Sequence, residues 1–246
     1  MKIIITENAD AFDREGALYF TRQALKKPDS TFAIATGNTT RNIYILAAEL
    51  HKELKVDYSS CKTSNLDEYA GISAEDEKSC RFRIDELILK RINIKSENTY
   101  VPNGLANPVE KELEIFRNRI ESFGGIDLMI LSIGANGHIA FNEPGTPFSS
   151  SYRIAPISEN TRKDKAIFFG GQDKVPKFGI SMGIRDIMMS REILLVAKGR
   201  SKAEAICGII NGPMTVDLPA SVLQVHPAVT VLIDRDAASL LTPKES

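Results

Sequence analysis

The segment Ile133-Gly134-Ala135-Asn136-Gly137-His138-Ile139-Ala140-Phe141-Asn142-Glu143-Pro144 gathers the residue types that acid–base chemistry needs. An imidazole changes charge near neutral pH, and a carboxylate five residues on can orient it and stabilise its protonated form. His138 and Glu143 are therefore a candidate acid–base pair. Gly134 and Gly137 allow the backbone angles of a tight turn and the close approach of a ligand. A turn histidine satisfied by backbone groups is the plainer alternative. His51, on an expected exposed helix, and His226, before Pro227, fit that description better. No His/Cys cluster has the spacing of zinc ligands, so no zinc site is expected.

Two other segments carry chemistry. Asn65-Leu66-Asp67-Glu68-Tyr69 sets two adjacent carboxylates where an expected strand meets a loop, and either could act as a general base. A solvated turn with Asp67 bonded to local backbone groups reads the same residues differently. Ala35-Thr36-Gly37-Asn38-Thr39-Thr40 lies between an expected strand and helix, where N–H groups and hydroxyls can face an anion. It lacks the Gly-Lys-Ser/Thr ending of a Walker loop, and an ordinary capped turn would look similar.

A frame is needed to bring these segments together. Strand-like runs fall at Lys2–Thr6, 31–36, 62–66, 127–133, Glu192–Ala197 and 229–233. Several are apolar almost throughout, as in strands covered on both faces. Helical patterns fall at Ala9–Lys26, 40–53, 80–91, 109–123 and 201–210. Thr40, Ser79 and Ser201 are candidate starters, and Pro108 sits where a helix can begin. The alternation predicts one α/β domain over residues 1–246, a three-layer α/β/α Rossmann-like fold with a largely parallel central sheet. Ligands on such sheets sit beyond the carboxyl ends of strands, where all three segments fall. Residues 143–176, rich in Gly, Pro, Ser and charge, read as a lid or irregular excursion near the site.

Composition narrows the partners. Lys+Arg total 31 against 32 Asp+Glu, a balance that argues against a nucleic-acid binder and leaves room for a local cationic pocket. With 43% hydrophobic residues, a core forms without staples. Cys61, Cys80 and Cys207, odd in number and widely spaced, suit a reducing compartment and are expected to be ordinary buried residues. No apolar run approaches the ~20 residues of a membrane span, and the first residues lack a signal-peptide core. The expected location is the cytoplasm, with no membrane partner.

Taken together, Leu66-Asp67-Glu68-Tyr69 and Gly137-His138-Ile139-Ala140-Phe141-Asn142-Glu143-Pro144 resemble the glucosamine-6-phosphate deaminase/isomerase family. The likeness continues in order through Val175-Pro176, Ser181-Met182-Gly183-Ile184, Lys202-Ala203 and Pro219-Ala220-Ser221 to Leu223-Gln224-Val225-His226-Pro227. It implies a small-molecule substrate, an amino-sugar 6-phosphate, and no cofactor. Asp67 would move the proton between carbons 2 and 1. His138 would open the sugar ring, with Glu143 holding and tuning it and a neutral Asn136 beside them. Thr36, Gly37, Asn38, Thr39 and Lys202 would bind the phosphate. Members range from monomers to hexamers, so a homo-oligomer is allowed.

One departure bears on the substrate. Glucosamine-6-phosphate deaminases carry a phosphate-binding arginine before a Phe-Phe pair, and here Ile167 precedes Phe168-Phe169. Lys165 or Arg162 could substitute, or the sugar could be galactosamine 6-phosphate, giving tagatose 6-phosphate. Ala35-Thr36-Gly37 and the 183–188 segment resemble the galactosamine-6-phosphate isomerase branch, whereas Phe141-Asn142-Glu143 and Arg162 favour glucosamine. A phosphogluconolactonase would share the fold without these motifs. A non-catalytic sugar-phosphate sensor would need no base at the position of Asp67.

Overall fold

The computed structural model describes residues 1–241. Its elements run β1 (Lys2–Thr6), α1 (Ala9–Lys26), β2 (Thr31–Ile34), α2 (Asn38–Leu54), β3 (Lys62–Asn65), β4 (Asp67–Tyr69) and α3 (Cys80–Ile84), which continues as a π turn (Asp85–Leu89). Then follow β5 (Thr99–Tyr100), α4 (Val109–Ser122), β6 (Leu128–Ser132), β7 (Arg153–Pro156), α5 (Glu159–Phe169) and β8 (Phe178–Ser181). The chain ends with α6 (Ile184–Ile187), β9 (Glu192–Ala197), α7 (Ala203–Asn211) and β10 (Val229–Asp234).

The main sheet has the order β1-β10-β9-β6-β2-β3-β5 and is parallel throughout. Successive strand residues face opposite layers, which divides the core in two. Phe32, Leu128, Ile130, Leu194 and Val196 pack with Phe12, Phe20 and Tyr44 of α1 and α2. Ala33, Met129, Leu131, Ile193 and Leu195 pack with Phe116, Ile184 and Ile206 of α4, α6 and α7. Each fully buried side chain of this size contributes roughly 1.5–3 kcal/mol. This is the three-layer α/β/α architecture expected from the alternation. From β2 the chain steps outward to β3 and β5 and then returns to β6 on the other side, so the switch point lies between β2 and β6. Ligands bind at such switch points.

Four expectations change. Residues 143–176 are not simply irregular: they hold β7 and α5. In addition β4, β8 and β7 form a small antiparallel sheet. A third cluster, Tyr69, Cys80, Phe141, Ala155, Ile157, Phe169 and Val175, ties that segment to the body. Thr40 does not start α2, because the helix begins at Asn38; its hydroxyl accepts the Gly37 N–H at 3.3 Å and donates to the Ala35 carbonyl at 3.0 Å. Nor does Ser201 start α7: it lies in a 3-10 turn before Ala203. Ser79 does cap α3, accepting from Phe82 N, and Pro108 precedes α4. Cys61 and Cys80 are buried, whereas Cys207 is only half-buried.

Candidate active site

Asp67 opens β4 directly after the β3 strand end, and His138 sits in the turn that follows β6. The loop after β2 supplies Thr36 and Gly37. These four line one pocket of about 520 Å³ including its open mouth, together with Tyr69, Cys80, Ser132, Phe141, Thr161 and Lys165. Three loops from neighbouring strands thus meet as expected. Thr161 and Lys165, one turn apart on α5, close the pocket from the segment that had read as irregular.

The imidazole is held from one side. Asn136 Nδ2 lies 2.8 Å from Glu143 Oε2, and Asn136 Oδ1 lies 2.7 Å from His138 Nδ1. A carboxylate only accepts, so the amide must turn its N–H to Glu143 and its oxygen to His138. Nδ1 therefore carries the proton, and Nε2, without a partner among the described residues, keeps its lone pair. Glu143 itself stays 3.7 Å from Nδ1. The holding residue is thus Asn136, with Glu143 polarising it from behind. Burial lowers the His138 pKa; Glu143 opposes this, while Lys202 and Lys165 push further down. The ring rests neutral. Gly134 makes room for it, since a Cβ there would fall 2.2 Å from Nδ1 and Cε1. Nearby Ala140 adopts φ +50, the left-handed region that costs a non-glycine residue about 1 kcal/mol or more.

Asp67 is perturbed in the opposite sense. Burial first, then the adjacent Glu68 carboxylate, raise its pKa to about 7, against the Cys80 thiol, Lys165 and Arg83. The Cys80 thiol lies 3.7 Å from Asp67 Oδ1. Glu68 is buried and accepts from three backbone N–H groups, Tyr69 at 2.8 Å and Cys80 and Arg81 at 2.9 Å. It clamps the start of α3 beside Asp67 and keeps a like charge next to it. A base with a pKa near working pH combines availability with driving force.

The anion-binding features lie across the pocket. Helix α2 has no side-chain cap, so the N–H groups of its first turn, from Asn38 on, are open to a ligand. Thr40 and Tyr44 both donate to the Ala35 carbonyl, at 3.0 and 2.9 Å, and fix the loop from behind. Asn65 Nδ2 donates to Thr36 Oγ1 at 2.8 Å. With that lone pair used, the Thr36 hydroxyl is free to donate its proton. Asn38 is exposed and Thr39 half-buried, and neither side chain lines the pocket. Lys202 ends the turn Arg200–Lys202 outside the lining; burial and Lys165 depress its pKa. Ile167 points away and is 97% exposed. Arg162 bonds to the Gln172 carbonyl at 3.0 Å, which leaves Lys165 as the cation at the cavity wall. His51 and His226 are backbone-bonded, to Val56 O and Ser190 O, although His51 is half-buried rather than exposed. Among the described residues no three metal-ligating side chains converge, and no helix is long and apolar enough to cross a membrane.

Residues 9–232 match the family described as glucosamine-6-phosphate isomerases/6-phosphogluconolactonase. The chain belongs to this family. Within the glucosamine-6-phosphate isomerase/6-phosphogluconolactonase family it is 41% identical to a glucosamine-6-phosphate deaminase of Shouchella clausii, over 99% of each chain. It is 39% identical to one of Thermoanaerobacter pseudethanolicus, over 100% of this chain and 97% of that one. A solved monomeric glucosamine-6-phosphate deaminase superposes with a TM-score of 0.95 at 38% identity, over 98% of this chain and 100% of that one. The 6-phosphogluconolactonase of Trypanosoma cruzi shares the family fold, with a TM-score of 0.81 at 18% identity over 98% and 97% of the two chains.

Proposed function

We propose that this chain converts glucosamine 6-phosphate and water into fructose 6-phosphate and ammonia. The observation that carries this reading is a carboxylate with a pKa near 7 and a neutral imidazole facing one pocket whose far wall is an open helix N-terminus. The full-length relatives named as deaminases support it.

His138 Nε2 takes the proton of the anomeric hydroxyl and, as the imidazolium, delivers it to the ring oxygen as the bond from carbon 1 to that oxygen breaks, which opens the sugar. Asp67 removes the proton on carbon 2 and returns one to carbon 1. This leaves an imine at carbon 2, to which water adds before ammonia departs. Asn136 fixes the tautomer of His138, and Glu143 stabilises the imidazolium as it forms. Thr36, Gly37, Asn38, Thr39 and Lys202 hold the 6-phosphate, whose binding energy positions the reacting carbons. The 143–176 segment, which carries Thr161 and Lys165, acts as the cover of the pocket.

Ammonia release from glucosamine 6-phosphate and galactosamine 6-phosphate, measured in parallel, tests the reading. Turnover of the glucosamine substrate is expected. Folded protein that turns over neither would reject the activity, and turnover of galactosamine 6-phosphate alone would reassign the sugar.

A further inference from the structure

Lys165 is a half-buried cation without a counter-ion. It lines the pocket beside Thr36, Gly37, Asp67 and His138, and it has no ion pair or side-chain hydrogen bond among the described residues. By contrast, the half-buried Lys198 is neutralised by Asp13 at 2.8 Å. Burial and the nearby Arg83 guanidinium depress the Lys165 pKa, and Arg83 itself lies over the face of Phe168, 4.9 Å from its ring centre. Lys202, the other lysine near His138, likewise has no ion pair among the described residues. With no direct ion pair holding either lysine among the described residues, both are available to an anionic ligand.

The two lysines and a helix N-terminus suit a phosphoryl ligand. A phosphoryl group carries about −1.5 to −2 near pH 7, and a helix N-terminus supplies roughly +0.5. Lys202 with the start of α2 supplies roughly +1.5, which meets only the lower end of that charge, and one further cation covers the upper end. Asp67 does not consume that cation: the two form no ion pair, and Asp67 stays raised to about 7 despite it. Thr161, one helical turn earlier, faces the same cavity, so α5 presents Lys165 opposite the loop at Thr36.

We propose that Lys165 is a phosphoryl-binding residue of this pocket, sharing the 6-phosphate of the substrate with Lys202 and the N-terminus of α2. The inference rests on the amino-sugar 6-phosphate reading above and names the cation that grips the phosphate from α5.

The test compares the parent with Lys165→Met, which keeps the apolar stem, and Lys165→Arg, which keeps the charge. KM for glucosamine 6-phosphate should rise about tenfold or more in Lys165→Met, the loss of one charge-assisted hydrogen bond. The acid limb of its pH profile should move up only modestly, because burial and Glu68 outweigh Lys165 in setting the Asp67 pKa, and Lys165→Arg should recover most of the affinity. An unchanged KM with a shifted acid limb would overturn the proposal, because Lys165 would then serve Asp67. A second readout needs no turnover: inorganic phosphate should raise the melting temperature of the parent more than that of Lys165→Met. Equal stabilisation of the two would overturn the proposal even if the parent deaminated nothing, whereas failure of the function reading would show as absent turnover in the parent. Loss of fold is checked by melting without phosphate, where Lys165→Met should match or exceed the parent.

Discussion

In an Asp67→Asn variant the amide keeps the shape of the protonated acid but cannot take a proton from carbon. Burial and Glu68 raise the Asp67 pKa from 3.8 to about 7, and a rise of about three is worth roughly 4 kcal/mol. Solvent reaches this half-buried carboxylate through the pocket mouth, so about 2–4 kcal/mol is the realistic range. The sign follows from linkage. In the unfolded chain the group ionises near pH 4 and in the folded protein near pH 7, so its stabilising contribution is full below about 4 and lost as pH rises through about 7. Asparagine escapes that loss. Between about pH 5 and about pH 8, which spans most of the window, the variant should gain about 1.5–3 kcal/mol on the parent, or roughly 3–10 °C in Tm for a chain of this size. Scanning calorimetry of both proteins at the two pH values reads this directly. A Tm difference that stays constant with pH would refute the raised pKa. In the same variant ammonia release should fall by about 10²–10⁴, the usual contribution of a positioned base, while fructose 6-phosphate still binds. Turnover within about tenfold of the parent would remove Asp67 from the base role.

The other predictions concern the groups that hold these two. Asn136→Asp places a carboxylate on Nδ1, which should raise the His138 pKa; because the ring must be neutral to accept a proton, activity at about pH 6 should drop against that at about pH 8, as a pH–rate profile would show. In Asn65→Asp the Thr36 hydroxyl would donate to the new carboxylate and turn away from the pocket; KM for the sugar phosphate should rise about tenfold with little change in kcat. Gly134→Ala drives a methyl group into the imidazole, so kcat should fall at least about tenfold and chemical denaturation should show about 1–3 kcal/mol of lost stability.

What the sequence made legible follows from burial. Strands β2, β6 and β9 are covered on both faces and read as apolar runs, so the parallel sheet and its strand-end loops could be placed from composition alone. By contrast β4 and β7, Asp-Glu-Tyr and Arg-Ile-Ala-Pro, carry no alternation, because they are defined by antiparallel pairing with β8, which for β4 reaches across more than a hundred residues. Helix α5 hides for a related reason: only Thr161 and Phe169 are buried along its eleven residues, too few for an apolar period. Its signals were at the ends, where Ser158 caps it through Thr161 N and Gly170 leaves it in the left-handed region. Without that helix, Lys165 was one of two cations in a loop; with it, Lys165 stands one turn from Thr161 over the pocket. Asn136 was legible as a neutral neighbour of His138, but its place between His138 and Glu143 depends on how the turn folds back on Gly134.

The site gathers unfavourable charge states. Asp67 carries its negative charge against burial and Glu68, and Lys165 and Lys202 lack counter-ions among the described residues. Each is relieved by the proposed substrate rather than by the protein, since the phosphoryl group answers the lysines and the hydroxyl or ammonium groups of the sugar answer the carboxylate. Binding energy gathered at the phosphate thus offsets stress at the carbons where the proton must move. Substitutions that neutralise these charges should therefore stabilise the unliganded fold and weaken turnover together, the opposite of what ordinary core or surface positions would do.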